Sequence, residues 1–178
     1  MRRVVFSGGP GAGKTALLNE LRSLGYATMG DSARSIIAER LRSNLSPRPE
    51  ALKFANQVLD KDAQSYLGCT QPTDLVFYDR GVVDALCMLD QVAPLEEREL
   101  ETLLMRYAYH REVFVFPPWR EIYRNDLERD QTFIEAERVH NRVTSWYRRC
   151  GYELIEVPKI SVQRRMEYVL QVLGRAEA

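Results

Sequence analysis

The sequence has little cysteine, little histidine and no excess charge of either sign. Its 178 residues include three cysteines and two histidines, and 25 basic side chains balance 25 acidic ones. Balanced charge argues against a nucleic-acid or anionic-membrane binder that relies on bulk charge, so any phosphate site must be local. The cysteines form no CxxC pair and lack metal-ligand spacing with the histidines. This favours reduced, buried cysteines over disulfides, a zinc site or a nucleophile.

A long hydrophobic run is also missing near the start of the sequence. The apolar residues Val4 to Phe6 end at Ser7, far short of a secretory signal or a membrane span. We therefore expect a cytoplasmic protein with neither a membrane nor a nucleic-acid partner. With 45% hydrophobic residues, the chain can bury a substantial core, and we expect a single domain over residues 1–178.

Short apolar runs alternate with stretches whose apolar residues recur every three or four positions. The first pattern predicts strands and the second predicts helices. The predicted strands are RRVVFS, Tyr26–Met29, DLVFYD, EVFVF and YELIEVP, and the predicted helices are Lys14–Leu24, one from Asp31 that ends before Pro47, Pro49–Gly68, Val82–Gln91, Pro94–Tyr109, one that ends at Arg149, and Ser161–Leu173. Strands separated by helices imply an α/β fold with a parallel sheet, helices on both faces, and ligands beyond the carboxyl ends of the strands.

The stretch GGPGAGKT lies between the first predicted strand and the first predicted helix. It contains the complete phosphate-loop pattern, in which Gly8 and Gly13 enclose four residues and Lys14 and Thr15 follow. Glycines let backbone N–H groups turn towards phosphates, while Lys14 would reach the β- and γ-phosphates and Thr15 would bind Mg²⁺. We therefore predict ATP and Mg²⁺ as cofactors. The residues predicted to bind the nucleotide are Gly8, Gly9, Pro10, Gly11, Ala12, Gly13, Lys14, Thr15 and Ala16.

Asp79 and Arg80 directly follow the third predicted strand. A buried strand would deliver the Asp79 carboxylate to the sheet edge near the phosphate loop, where it could hold Mg²⁺ directly or through water. Alternatively, Asp79 caps the helix that begins near Gly81. Arg80 could orient an acceptor oxygen or the transferring phosphoryl group, or it could form a surface ion pair.

Two motifs of translational-type GTPases are missing. PKIS follows the fifth predicted strand in place of the guanine-reading Asn/Thr-Lys-x-Asp, and Asp79 begins DRGV in place of Asp-x-x-Gly. The chain also has no LSGGQ-like segment of transporter ATPases and is too short for a large AAA module with a separate lid domain. Among the classes of phosphate-loop protein considered, a compact kinase is the one that the sequence still fits.

Several motifs together carry a family resemblance: GGPGAGKT, DSAR at 31–34, FYDRG, an arginine-bearing segment after PPW, and YRRCGYELIEVP. Over almost the whole chain, they resemble the AAA-like ATPase/kinase family that includes the ribosylnicotinamide kinase domain of a bacterial NAD-metabolism regulator. The resemblance implies a three-layer phosphate-loop NTPase fold of the nucleoside and nucleotide kinase type. Its sheet would have the strand order 2-3-1-4-5, with a small helical lid at about residues 118–133.

The resemblance also implies roles for the acidic-x-Ala-Arg motif, in which this chain has Asp31 where the family commonly has Glu. Asp31 would accept the proton of the acceptor hydroxyl, and Arg34 would join Asp31 and Arg80 in contacting the acceptor. The alternative is an N-cap aspartate followed by a solvated arginine. In the lid segment, Arg120 and Arg124 could close over the phosphates, although the interleaved acidic residues also fit an exposed, salt-bridged helix.

We interpret the sequence as a Mg²⁺-dependent, ATP-using kinase whose acceptor is a nucleoside or a similar small hydroxyl compound. The alternative is a nucleotide-binding regulatory ATPase that gates a protein partner. The sequence identifies neither the acceptor nor the oligomeric state. The predicted catalytic residues are Lys14, Asp31, Asp79, Arg80, Arg120 and Arg124.

Overall fold

Five parallel strands form one sheet in the computed structural model, which describes residues 1–70, 73–124 and 131–174. The strand order is β2-β3-β1-β4-β5, and every neighbouring pair is parallel. This confirms the predicted sheet and its order. The strands are β1 Arg2–Gly8, β2 Ala27–Met29, β3 Leu75–Asp79, β4 Glu112–Phe116 and β5 Glu153–Glu156.

Helices cover both faces of the sheet, as predicted. On one face, α1 and α7 pack against side chains such as Phe6, Phe77 and Phe114. On the other face, residues of α3, α4, α5 and α6 surround alternate strand residues such as Val5 and Tyr78. The helices are α1 Lys14–Ser23, α2 Ser32–Arg42, α3 Ala51–Gly68, α4 Val82–Asp90, α5 Glu97–Arg106, α6 Phe133–Arg149 and α7 Val162–Val172.

Strand β1 occupies the middle of the sheet because it pairs with β3 on one side and with β4 on the other. Its residues Val4 to Phe6 are completely buried. A strand covered on both faces reads as a continuous apolar run rather than as an alternating one, which is the pattern that the sequence shows. Strands β1 and β3 deliver Gly8 and Asp79 to the same edge of the sheet.

Two predicted segments differ from the structure. Helix α5 is shorter than the predicted Pro94–Tyr109, because Tyr107 and Tyr109 lie beyond its end and pack edge-on against Tyr66. In the lid segment, residues 117–124 form a single turn rather than a helix. Residues 125–130 of the predicted lid, including Arg129, lie outside the described residues. Helix α6 then begins behind a capping box formed by Thr132 and Glu135.

No helix among the described residues combines the length and the apolar character that a membrane span requires.

Candidate active site

A cavity of about 590 Å³ lies beyond the carboxyl ends of the central strands. The phosphate-loop residues 10–16 line one end of it. Residues of α2, α3, α4 and α6 line the other end, including Phe54, Val58 and Val143. The cavity is therefore one space with a loop-lined end and a helix-lined end, and the helix-lined end combines apolar walls with charged side chains such as Arg34 and Arg142.

Two positions of the phosphate loop require glycine because other parts of the chain pack directly against the loop backbone there. Gly8 has a φ of 119°, and a Cβ there would lie 2.5 Å from the backbone oxygen of Phe116. Gly11 has a φ of 75°, and a Cβ there would overlap the ring of Tyr123. A larger residue at either position would meet both backbone strain and a steric clash. At Gly8 and Gly11 the loop backbone therefore approaches β4 and Tyr123 more closely than a side chain would allow.

Lys14 begins α1 and is almost completely buried, with 5% of its surface exposed. Its Nζ donates a hydrogen bond to the backbone oxygen of Gly9 at 2.8 Å. Burial lowers the pKa of Lys14 to about 8; the nearby Arg80 guanidinium acts in the same direction, and the carboxylate of Asp79 opposes both. At neutral pH most of the lysine is therefore still charged and can meet an anion in the loop.

Thr15 and Asp79 are in direct contact. The Thr15 hydroxyl donates to Oδ2 of Asp79 at 2.6 Å, and Asp79 is only 2% exposed. The second oxygen, Oδ1, is buried and has no hydrogen-bond partner among residues 1–70, 73–124 and 131–174. Burial raises the pKa of the Asp79 carboxyl, whereas Lys14 lowers it. The alternative that Asp79 caps the next helix is wrong, because Gly81 is the N-cap of α4.

These two side chains fit a magnesium ion. A hydroxyl and a carboxylate are the hard oxygen ligands that Mg²⁺ prefers, and Mg²⁺ commonly takes only one or two protein ligands beside substrate phosphates and water. Within the described part of the chain, no group of three or more His, Cys, Asp or Glu side chains could hold a metal by itself. A cation at this position would also give the orphaned Oδ1 of Asp79 a partner.

Arg80 joins two carboxylates beneath the cavity. Its Nε lies 3.4 Å from Oδ2 of Asp31, and its Nη1 lies 3.3 Å from Oδ1 of Asp84. With 17% of its side chain exposed, Arg80 is not the surface ion pair of the alternative interpretation. Burial alone would lower the pKa of the guanidinium, but three neighbouring carboxylates, led by Asp31, outweigh burial and raise it. The charge of Arg80 is therefore fixed.

The backbone of Arg80 adopts an uncommon conformation. Its φ is 67°, in the left-handed region that non-glycine residues rarely occupy. Its N–H donates to the backbone oxygen of Phe6 at 2.9 Å, which continues the pairing with β1. A residue held this way costs roughly 1–3 kcal/mol and persists where the surroundings over-determine it. The backbone therefore holds Arg80 at the floor of the cavity.

Asp31 is both a helix cap and a cavity residue. Its Oδ1 accepts a hydrogen bond from the backbone N–H of Arg34 at 3.0 Å, and its Oδ2 faces Arg80. The capping alternative is thus present in the structure, and it leaves lone pairs on both oxygens for another donor. Arg34 also lines the cavity. The roles of Asp31 as a base and of Arg34 in acceptor binding stay predictions.

The structure does not bring Arg120 and Arg124 to the cavity. The guanidinium of Arg120 lies over the ring of Phe133, with its Cζ 5.1 Å from the centroid. Arg124 Nη1 donates to the backbone oxygen of Tyr123 at 2.8 Å. From the same segment, Ile122 lines the cavity instead. Phosphate contacts by either arginine would need a different arrangement of the segment and stay a prediction.

Two buried aspartates that line the cavity were missed at the sequence level. Asp84 accepts hydrogen bonds from the hydroxyls of Ser7 and Tyr147, at 2.5 and 2.6 Å, and from the N–H of Gly81 at 3.2 Å. Asp62 follows Phe54 and Val58 at four-residue spacing on α3 and is 5% exposed. A charged residue on an otherwise apolar helix face was the available signal for both.

Solved structures share this fold at low sequence identity. Deoxyadenosine kinase from M. mycoides with bound dATP is 12% identical, with a TM-score of 0.64, over 98% of this chain and 100% of that one. Thymidylate kinase from Ehrlichia chaffeensis is 17% identical, with a TM-score of 0.60, over 97% and 98% of the two chains. A search of curated proteins finds no match. Both likenesses confirm the phosphate-loop fold of nucleoside and nucleotide kinases.

One family model matches most of the sequence. It is described as an AAA domain, and its match runs over residues 3–165. This span begins in β1 and ends within α7, so it includes the phosphate loop, the Asp79–Arg80 pair and the lid segment. The chain belongs to this AAA domain family.

Proposed function

We propose that the protein is a Mg²⁺-dependent kinase that transfers the γ-phosphoryl group of ATP to a hydroxyl of a nucleoside or a similar small compound. The observation that carries this proposal is that one continuous cavity joins the phosphate loop to the Asp31–Arg80 pair and to apolar side chains of α2 and α3. A triphosphate and an acceptor could therefore lie in one space with their reacting atoms adjacent. Holding two reactants in this way is a large part of phosphoryl-transfer catalysis.

The phosphate end has the groups that a triphosphate requires. The loop amides and the N-terminus of α1 would bind the phosphate oxygens, and the charged Lys14 would exchange its hydrogen bond to Gly9 for the β- and γ-phosphates. Thr15 and Asp79 would hold Mg²⁺, which neutralises the charge of the phosphates when it is bound. The burial of Lys14 strengthens its interaction with an anion because little water competes for it.

The acceptor end has a carboxylate and a fixed cation side by side. Asp31 would accept the proton of the attacking hydroxyl through a lone pair that the helix cap leaves free. Arg80, held between Asp31 and Asp84, would orient the acceptor oxygen or stabilise the charge of the transferring group. The likeness in fold to deoxyadenosine kinase and thymidylate kinase supports an acceptor of the nucleoside type.

The proposal is tested by measuring ATP consumption with and without single nucleosides, together with mass spectrometry of the products. We expect at least one nucleoside to raise ATP consumption many-fold and to gain one phosphoryl group. Lys14→Ala should abolish this turnover without unfolding the protein. The matched control is Lys53→Ala on α3, because Lys53 is exposed and does not line the cavity. ATP hydrolysis that no acceptor stimulates would refute the kinase and favour the regulatory ATPase.

A further inference from the structure

The helix-lined end of the cavity contains one carboxylate without a cationic partner. Asp62 lies on the same face of α3 as Phe54 and Val58, and all three line the cavity. Within the described ranges, Asp62 forms no salt bridge within 4 Å; its hydrogen-bonding neighbour is the neutral Ser32 hydroxyl, and the charge of Arg80 acts on it only from a greater distance. The other carboxylates that line the cavity have assigned partners: Asp31 and Asp84 pair with Arg80, and Asp79 accepts from Thr15 at the proposed magnesium site.

The surroundings of Asp62 are those of a ring-binding pocket. Phe54, Val58 and Ile37 are nearly completely buried and form one cluster between α2, α3 and α4, together with Ala85. Ligand pockets commonly combine such apolar walls with a small number of polar groups that fix the orientation and identity of the ligand. A flat ring enclosed by these walls would turn one edge towards the Asp62 carboxyl.

Burial raises the pKa of Asp62 to about 7, and a hydrogen bond from the Ser32 hydroxyl opposes the rise. Without a ligand, the carboxyl is therefore costly to ionise. A ligand that donates a hydrogen bond would stabilise the ionised form, which accepts hydrogen bonds only. A ligand that presents a carbonyl oxygen would place two acceptors against each other when Asp62 is ionised, whereas the protonated form could donate its O–H to that oxygen. The selection against carbonyl-bearing rings is therefore strongest above pH 7, where the ionised form predominates.

We propose that Asp62 selects the ring of the acceptor, favouring rings that present an amino group over rings that present a carbonyl oxygen at the same position. This inference rests on the proposed kinase function and names the acceptors of the same site: nucleosides with amino-bearing bases. A substrate that leaves a buried polar group of the site without a hydrogen-bond partner is strongly rejected. We therefore expect Asp62 to favour the amino-bearing acceptor by at least about tenfold.

The experiment uses two matched pairs of acceptors, cytidine with uridine and adenosine with inosine, in ribose and 2′-deoxyribose forms. Within each pair, the exocyclic amino group is replaced by a carbonyl oxygen, and the adjacent ring nitrogen (N3 of the pyrimidine, N1 of the purine) changes from an acceptor to an N–H donor. The comparison therefore reports on the whole ring edge that faces Asp62. We expect wild-type kcat/KM to favour the amino member by about tenfold or more in at least one pair. Calorimetric binding of the same compounds, in the presence of a non-hydrolysable ATP analogue, gives a second readout that needs no turnover.

Asp62→Asn tests the residue itself. An amide both donates and accepts, so this variant should reduce the preference to less than about threefold while the better member is still phosphorylated. The matched control is Asp60→Asn, which makes the same change on the same helix at an exposed position outside the cavity, and which should keep the wild-type preference. Thermal unfolding of both variants verifies that each is folded.

The outcomes separate this inference from the function on which it rests. If both members of each pair are phosphorylated with equal kcat/KM, or if Asp62→Asn keeps the wild-type preference, the kinase stands and the role of Asp62 is overturned. If no nucleoside is phosphorylated or bound, the nucleoside kinase and the role of Asp62 are both overturned.

Discussion

Replacing Asp84 by alanine should be among the most destabilising single changes that the cavity floor can undergo. Asp84 is 7% exposed and accepts hydrogen bonds from Ser7, Tyr147 and the N–H of Gly81, besides pairing with Arg80. Ser7 and Tyr147 have no exposed surface. Alanine would leave their hydroxyls without this acceptor and would remove one of the two carboxylates paired with Arg80.

The magnitude follows from the cost of buried polar groups without partners. Each orphaned donor costs about 1–3 kcal/mol, and breaking a buried ion pair by removing one partner costs about 3–5 kcal/mol. Because Arg80 keeps Asp31 as a partner and a water molecule could replace part of the carboxylate, we expect Asp84→Ala to lower the free energy of unfolding by about 3–5 kcal/mol. Tyr147→Phe, which removes a single donor, should cost only about 0.5–1.5 kcal/mol.

Urea unfolding followed by circular dichroism measures both variants. The double variant provides the internal control: because Asp84 and Tyr147 share one hydrogen bond, its destabilisation should be smaller than the sum of the two single values. Asp60→Ala, at an exposed site on α3, should change the free energy of unfolding by less than about 0.5 kcal/mol. If Asp84→Ala is as stable as Asp60→Ala, the reasoning that these hydrogen bonds hold the cavity floor is refuted.

Four further predictions concern the proposed reaction. Because the pKa of Lys14 is about 8, affinity for nucleoside triphosphates should fall by up to about tenfold per pH unit above pH 8, as the ammonium loses the proton that binding requires. Titration of a fluorescent nucleotide measures this, and Lys14→Arg, which stays charged, should flatten the fall; a flat wild-type profile would contradict it. Asp79→Asn should raise the Mg²⁺ concentration needed for half-maximal turnover, and an unchanged titration at an unchanged rate would remove Asp79 from the metal site. Asp31→Asn keeps the helix cap but loses basicity, so ATP should still bind while phosphoryl transfer falls by about two orders of magnitude or more; full turnover would make Asp31 a cap alone. Arg124→Ala should lower turnover more than it weakens ATP binding without acceptor, if the lid segment rearranges to reach the phosphates; unchanged turnover would leave Arg124 as a surface residue.

The sheet and the phosphate loop could be predicted because local sequence patterns specify both. A continuous apolar run such as Val4 to Phe6 identifies a strand buried on both faces, and the glycines before Lys14 identify a turn that only a small set of residues can form. The position of Asp79 at the end of β3 follows from the same local pattern. It then lies beside Thr15 because parallel strands of one sheet end at one edge.

The polar floor of the cavity could not be predicted because its contacts join distant parts of the chain. Asp84 lies 77 positions from Ser7 and 63 from Tyr147, and no local periodicity encodes such a pairing. The same limit applies to Arg120, whose spacing from Arg124 fits a helix face but whose guanidinium lies over the ring of Phe133. Packing between elements decides both cases, and helix propensity is too weak to oppose it.

The central position of β1 has a consequence for the synthesis of the protein. Both of its neighbours come much later in the sequence, β3 at Leu75–Asp79 and β4 at Glu112–Phe116. At about 5–20 residues per second, a ribosome needs roughly 4–14 s after completing β1 to complete β3, and longer to complete β4. During that interval the apolar side chains of Val4 to Phe6 and the backbone groups of an unpaired strand are accessible to other chains. The central strand of the sheet is therefore the one that waits longest for its partners, and nascent chains that stop before β4 should be the forms that most need a chaperone.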